Sequence, residues 1–133
     1  MELNYLSSRI IAAAINVHKE LGPGLLESVY QSCMAIELER AGIRADSEVP
    51  LPVIYHGRRV KDDGFRLDLL IEDTIIVELK SVEKIQSVHK KQLLTYLRLA
   101  NKPLGLLLNF NVAVLKDGIS RIINNGYQGT YGS

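Results

Sequence analysis

Cysteine occurs once in this 133-residue chain. That single thiol, Cys33, rules out an internal disulfide framework and a metal cage built from cysteine alone. Histidine is nearly as sparse, and His18 and His56 show no ligand spacing. No apolar run approaches a membrane span, and Met1-Glu-Leu-Asn-Tyr5 lacks the basic-then-apolar order of a secretory leader. Cytoplasmic residence and no membrane partner are the expectations. A strong charge imbalance is missing too: the formal net charge is +1, which neither demands nor forbids a polyanionic partner. There is no internal repeat and no interdomain linker. With 47% hydrophobic and 23% charged residues, the chain is globular and of a size for one domain.

Periodicity supplies the elements. Leu6, Ile10, Ala13, Ala14, Val17 and Leu21 recur at helical spacing over residues 5–21, and Gly22-Pro23-Gly24 ends that helix. A second helix follows, with Leu25, Leu26, Val29, Cys33, Ile36 and Leu38 as its apolar residues and a buried role for Cys33. Residues 43–53 read as extended, and Pro50 and Pro52 suit an edge strand or strand exit. Tyr55-His-Gly-Arg58 reads as a turn. Strands over 64–71 and 74–79, a helix over 86–100 and a doubly buried strand over 104–109 come next. Strands at 112–115 and 119–123, joined by a Lys-Asp-Gly turn, close the order. The result is a mixed α/β sandwich, one domain over 1–123, with 124–133 a polar, glycine-rich, flexible tail.

The chemistry concentrates between Arg66 and Lys80, in R-L-D-L-L-I-E-D-T-I-I-V-E-L-K. Glu78 and Lys80 are two apart and share a strand face. Asp68 lies across the Glu72-Asp73 turn. A loop centred on Asp73 puts Asp68 opposite Glu78, whereas a two-residue Glu72-Asp73 turn puts it opposite Val77. Two carboxylates and an ammonium on one face suit a divalent cation with a positioned water or phosphate. The plain alternative is a Glu78–Lys80 surface pair worth about 0–1 kcal/mol. Against it, Ile75-Ile-Val77 and Leu79 describe a central strand, where charge is costly unless paired or metal-bound.

Glu27 is the candidate third acid, three residues before Tyr30 on one helix face. It equally fits capping, with Gly24 as N-cap and Glu27 at N3. Gln92 and Tyr96 are four apart on the third helix, with His89 on the same stripe; they suit a phosphate or a supported lysine, or simply a boundary face. Lys84, Lys90, Lys91, Arg98 and Lys102 leave residues 84–102 basic and free of acids. Such a segment can track a phosphate backbone or be a solvated face.

Together these pieces resemble the PD-(D/E)XK nuclease superfamily, most closely its small GxxExxY family. The resemblance rests on Leu21-Gly-Pro-Gly-Leu-Leu-Glu27-Ser-Val-Tyr30, Arg66-Leu-Asp68, Val77-Glu78-Leu-Lys80, Gln92-Leu-Leu-Thr-Tyr96 and Leu107-Leu-Asn109-Phe-Asn111. Leu67 stands where the superfamily's name has proline. The resemblance implies a restriction-endonuclease-like core in the order αβββαβ, a mixed sheet flanked by helices. It implies Mg²⁺ or Mn²⁺ on Asp68, Glu78, Glu27 and the Leu79 carbonyl. Lys80 would orient the attacking water, and Gln92 and Tyr96 would support site and substrate, as would Tyr30, Lys84 and Lys91. Arg58, Arg59 and Lys61 could hold flanking phosphates. The implied activity is metal-dependent hydrolysis of nucleic-acid phosphodiesters, DNA rather than RNA being the expected polymer. The alternative is a catalytically silent nucleic-acid-binding or regulatory module on the same fold. The small surface of a single copy leaves room for a homo-oligomer.

Overall fold

The computed structural model describes residues 1–60 and 64–129. Two helices, α1 (Leu3–Leu21) and α2 (Glu27–Arg40), precede strands β1 (Ala45–Leu51), β2 (Ile54–Tyr55), β3 (Arg58–Arg59), β4 (Phe65–Ile71) and β5 (Ile75–Lys80). Helix α3 (Ser87–Ala100), strand β6 (Leu104–Asn109), a 3₁₀ turn at Leu115–Gly118 and β7 (Ile119–Ile123) complete the chain. The main sheet runs β1-β4-β5-β6-β7, and β2 and β3 form a separate small hairpin. Among the described residues only β5 and β6 pair in parallel, joined across the sheet by α3. The αβββαβ order is therefore realised, with β7 added as an antiparallel edge. β1 is the other edge, where Pro50 is tolerated. No helix among the described residues is long and apolar enough to cross a membrane.

Burial on both sheet faces explains the unbroken apolar runs of β5 and β6. Ile75, Val77, Leu79, Leu106 and Leu108 pack with Leu6, Ile10, Tyr30 and Met34 from α1 and α2. Ile76 and Leu107 pack on the other face with Leu93, Tyr96 and Leu97 from α3. Gly105 sits on that second face because a Cβ there would meet the Leu93 side chain at 2.9 Å, so its absence lets α3 close onto β6.

Several local expectations are corrected. Helix α2 buries Tyr30, Met34 and Leu38, while Leu26, Val29 and Ile36 are exposed and Cys33 is only half-buried. Residues 112–114 form bends leading into the 3₁₀ turn that begins at Leu115, rather than a strand over 112–115. That turn is held tight by Gly118, whose missing Cβ would lie 2.1 Å from the Asn109 carbonyl oxygen. The segment read as a loose tail is anchored where it begins. Asn124 is buried and donates to the Leu97 and Lys102 carbonyls, and Asn101 and Gln128 exchange hydrogen bonds. Residues 130–133 lie outside the described residues, as does Lys61.

Candidate active site

The β4–β5 loop has three residues, because Ile71 pairs with Ile75, Leu70 with Ile76 and Leu69 with Val77. This is the odd register, and it carries Asp68 opposite Glu78. Glu72 and Asp73 both adopt left-handed backbone, with φ of 50° and 52°. Their carboxylates hold the loop in that shape: Glu72 accepts from the Arg44 N–H, and Asp73 pairs with Lys102 at 3.0 Å. Lys102 is thereby committed to the loop rather than to a basic face.

Beyond Leu69 and Val77 the backbone ladder gives way to side chains. Glu78 Oε2 accepts from the Asp68 N–H at 2.8 Å, and Asp68 Oδ2 accepts from the Leu79 N–H at 2.8 Å. Each carboxylate takes the place of a strand carbonyl, which leaves its second oxygen for a ligand. A residue's N–H and C=O point to the same side of a strand, so the Leu79 carbonyl faces the gap in which its N–H meets Asp68. The Gln31 side chain on α2 donates to the Asp68 carbonyl.

The strands also change face here. Leu69 and Ile71 pack on the α1/α2 side, whereas Leu67 packs with α3. The neighbouring β1 switches at the same level, with Ala45 on the first side and Val49 and Leu51 on the second. Since Ser47 pairs with Leu69 and Val49 with Leu67, the pivots are Glu48 and Asp68, the residues between those pairs on the two strands. Glu48 has a left-handed φ of 53°, and its charge acts on both Asp68 and Glu78. The sequence reading passed over Glu48, and no local signal marks it. Substituting Asn, which tolerates left-handed backbone far better, is expected to stabilise the protein by about 0.5–1 kcal/mol. A fall in Tm of Glu48→Asn would refute the strain assignment.

Burial dominates the electrostatics. Glu78 is 8% exposed, and its pKa is pushed up to about 8, first by burial and then by the Asp68 carboxylate. The Asp68 N–H and Lys80 oppose that rise without cancelling it. Asp68 is raised as well, by burial foremost and then by Glu48 and Glu27, against the Leu79 N–H and Lys80. Tyr96 is raised first by its own burial and then by the charges of Glu78 and Asp68. Its ring lies 5.4 Å from that of Phe65.

The remaining candidates divide. Glu27 is the first helical residue of α2, not N3, since Leu26 is the N-cap; Oε2 of Glu27 accepts from the Ser81 N–H at 3.2 Å. Its carboxylate thus bridges to the end of β5 instead of closing its own helix. Tyr30 is fully buried, stacks on Phe110 with ring centroids 4.4 Å apart, and donates to the Gly22 carbonyl while accepting from the Leu25 N–H. It therefore shapes the loop that carries Glu27 and does not reach the carboxylate pair. Asn109 grips the segment after Lys80 through the Val82 N–H and carbonyl. His89 closes a capping box with Gln86 at the start of α3. Gln92, Lys84 and Lys91 are exposed.

Asp68 and Glu78 fit a hard divalent cation in donor type, and a buried like-charge pair is what such a cation relieves. Among the described residues no three acidic, histidine or cysteine side chains gather into a ready-made cation site. Glu27, tied to Ser81, stands apart from the pair.

A mixed sheet between helices, with Asp68 on one strand and Glu78-Leu-Lys80 on the next, defines the PD-(D/E)XK class. A family model of the PD-(D/E)XK nuclease superfamily matches residues 4–122, and the chain belongs to that superfamily. No curated protein and no solved structure matches the chain. The superfamily consists generally of nucleases and typically uses divalent metals, so a nuclease-like function on nucleic acid follows from membership.

Proposed function

We propose that this protein is a divalent-metal-dependent nuclease of the GxxExxY type, cleaving phosphodiester bonds in DNA rather than RNA. The reciprocal hydrogen bonding of Asp68 and Glu78 with each other's strands carries this reading. It holds two carboxylates together whose ionised forms are disfavoured by burial and mutual repulsion, a repulsion that a bound cation would offset. Asp68, Glu78 and the Leu79 carbonyl would hold Mg²⁺ or Mn²⁺, with Glu27 joining them on release from Ser81. When bound, the cation lowers the pKa of a coordinated water and offsets charge on the phosphate.

Lys80, on the Glu78 face of β5, orients the attacking water and meets charge developing on the scissile phosphate. Gln92 and Tyr96 support the site from α3. Tyr30 holds the Gly22–Leu25 loop and so fixes where Glu27 stands. Lys84 and Lys91 contact flanking phosphates, which adds salt-sensitive affinity without sequence preference. Arg58 and Arg59 on β3 extend that contact.

Among the described residues no third acidic, histidine or cysteine side chain joins the pair, which favours one rival, a silent binding or regulatory module. The two separate in a cleavage assay on labelled single- and double-stranded DNA and RNA with Mg²⁺, Mn²⁺ or EDTA, wild type beside Asp68→Ala. Metal-dependent product from wild type alone supports the nuclease. Salt-dependent binding with no product under any metal supports the module and sinks the nuclease.

A further inference from the structure

The β2–β3 hairpin leaves all four of its strand residues exposed, with Tyr55 at 66%. Its shape comes from its own backbone. His56 and Gly57, between the paired Tyr55 and Arg58, have φ of 49° and 75°, the left-handed pair of a tight two-residue turn. The Val60 N–H continues the ladder by donating to the Val53 carbonyl at 3.1 Å. Because Tyr55 pairs with Arg58, their side chains share one face of the hairpin. The Tyr55 and His56 rings meet at 80° with centroids 4.5 Å apart, so they are not stacked on each other.

Topology puts this hairpin at the carboxylate end of the sheet. Leu51, the last residue of β1, pairs with Phe65, the first of β4, and the hairpin lies in the chain between them. A Cβ on Gly64 would fall 2.4 Å from the Leu51 carbonyl oxygen, so glycine lets the chain close at the hairpin's base. Asp68 stands three residues into β4, about 10 Å along the strand. Antiparallel β5 runs toward the same end and finishes at Lys80. Phe65 lies between hairpin and carboxylates, 40% exposed, with its ring 5.4 Å from that of Tyr96.

We propose that the hairpin and Phe65 form a surface for single-stranded nucleic acid, which gives the nuclease site a single strand or single-stranded end as substrate rather than an uninterrupted duplex. The substrate rests on the nuclease reading; the binding surface does not. Tyr55 and Phe65 stack on bases, a contact that internal duplex bases, covered on both faces by their neighbours, do not offer. Arg58, on the face of Tyr55, takes a backbone phosphate; it forms no ion pair within 4.0 Å among the described residues. From Ile54 onward the chain carries Arg58, Arg59 and Lys61 before its first acid, Asp62, a balance that suits a polyanion.

Binding of labelled single-stranded and duplex oligonucleotides to the full chain, followed by anisotropy in EDTA, tests this. Wild type should prefer the single strand. Tyr55→Ala is expected to weaken single-strand binding about 5- to 100-fold with Tm unchanged, while Tyr55→Phe keeps the ring and the affinity. The chain has no tryptophan, so Tyr55→Trp supplies a lone reporter whose emission single strands should quench saturably and duplex should not. Equal affinity for duplex, unchanged binding by Tyr55→Ala or an unquenched reporter overturns the proposal. Cleavage is not read in EDTA, so the two readings fail separately. Hairpin-dependent binding by a protein that cleaves nothing removes only the nuclease. Single-strand cleavage by Tyr55→Ala at wild-type kcat/KM removes only the hairpin.

Discussion

Lys80→Ala is expected to lower phosphodiester cleavage by roughly 10²–10⁴-fold, the range for losing a positioned proton-transfer or charge-stabilising group. The fold should survive. The Lys80 backbone is fixed independently of its side chain, paired with Asn109 of β6 and accepting from the Phe110 N–H. The ammonium forms no ion pair within 4.0 Å among the described residues, and its field still favours the charged forms of Asp68 and Glu78. Losing it removes a charge that acts at the site, not a strut that holds the sheet. Single-turnover cleavage, a thermal melt and a Mn²⁺ titration on the same protein check the claim. Wild-type turnover in the variant would remove Lys80 from the chemistry. A collapsed melt would make its role structural.

Metal-free protein is expected to lose stability as pH rises, by an amount on the order of a few kcal/mol between about pH 4.5 and 8. Glu78 moves from the ordinary 4.5 to about 8 on folding, so within that window the folded state keeps a proton that the unfolded chain releases. Stability from this group is therefore full below the unfolded value and is lost as pH climbs toward the folded one. Asp68 shifts in the same direction and adds to the trend. Thermal melts in EDTA from pH 5 to 8.5 should show a falling Tm. Glu78→Gln should flatten the fall, since a glutamine can still accept from the Asp68 N–H but does not titrate. On the proposed reading a divalent cation such as Mg²⁺ would bind the ionised pair, so added Mg²⁺ should stabilise the protein more as pH rises. A Tm independent of pH in EDTA, with wild type and variant alike, would contradict the buried pair.

How much of this was legible beforehand differs by element. Strand β6 was readable to its ends because a run of six residues buried on both faces has one plausible explanation. Helix α2 was located correctly but oriented wrongly. Its two apolar stripes are similar in strength, and the choice between them rests on what α1 and the sheet present. Tyr30 looked like a partner of Glu27 from spacing alone, yet its hydroxyl found the Gly22 and Leu25 backbone instead. His89, on the same helix stripe as Gln92 and Tyr96, read most simply as a solvated histidine and serves as a helix cap.

The sequence by itself determined the order of the three helices and of the five strands of the main sheet, the doubly buried centre of that sheet and the set of charged groups placed on it. Those follow from periodicity and from the cost of burying charge, which act over a few neighbouring residues. Tertiary structure decided the register that brings Asp68 to Glu78. The odd loop depends on Arg44 and Lys102, distant in the chain, holding Glu72 and Asp73 in left-handed backbone. It also decided that Glu48 stands at the pivot with Asp68, and that Glu27 reaches across to Ser81. Contacts between residues far apart in sequence leave no periodic trace. Only packing the elements together reveals which pairs are made.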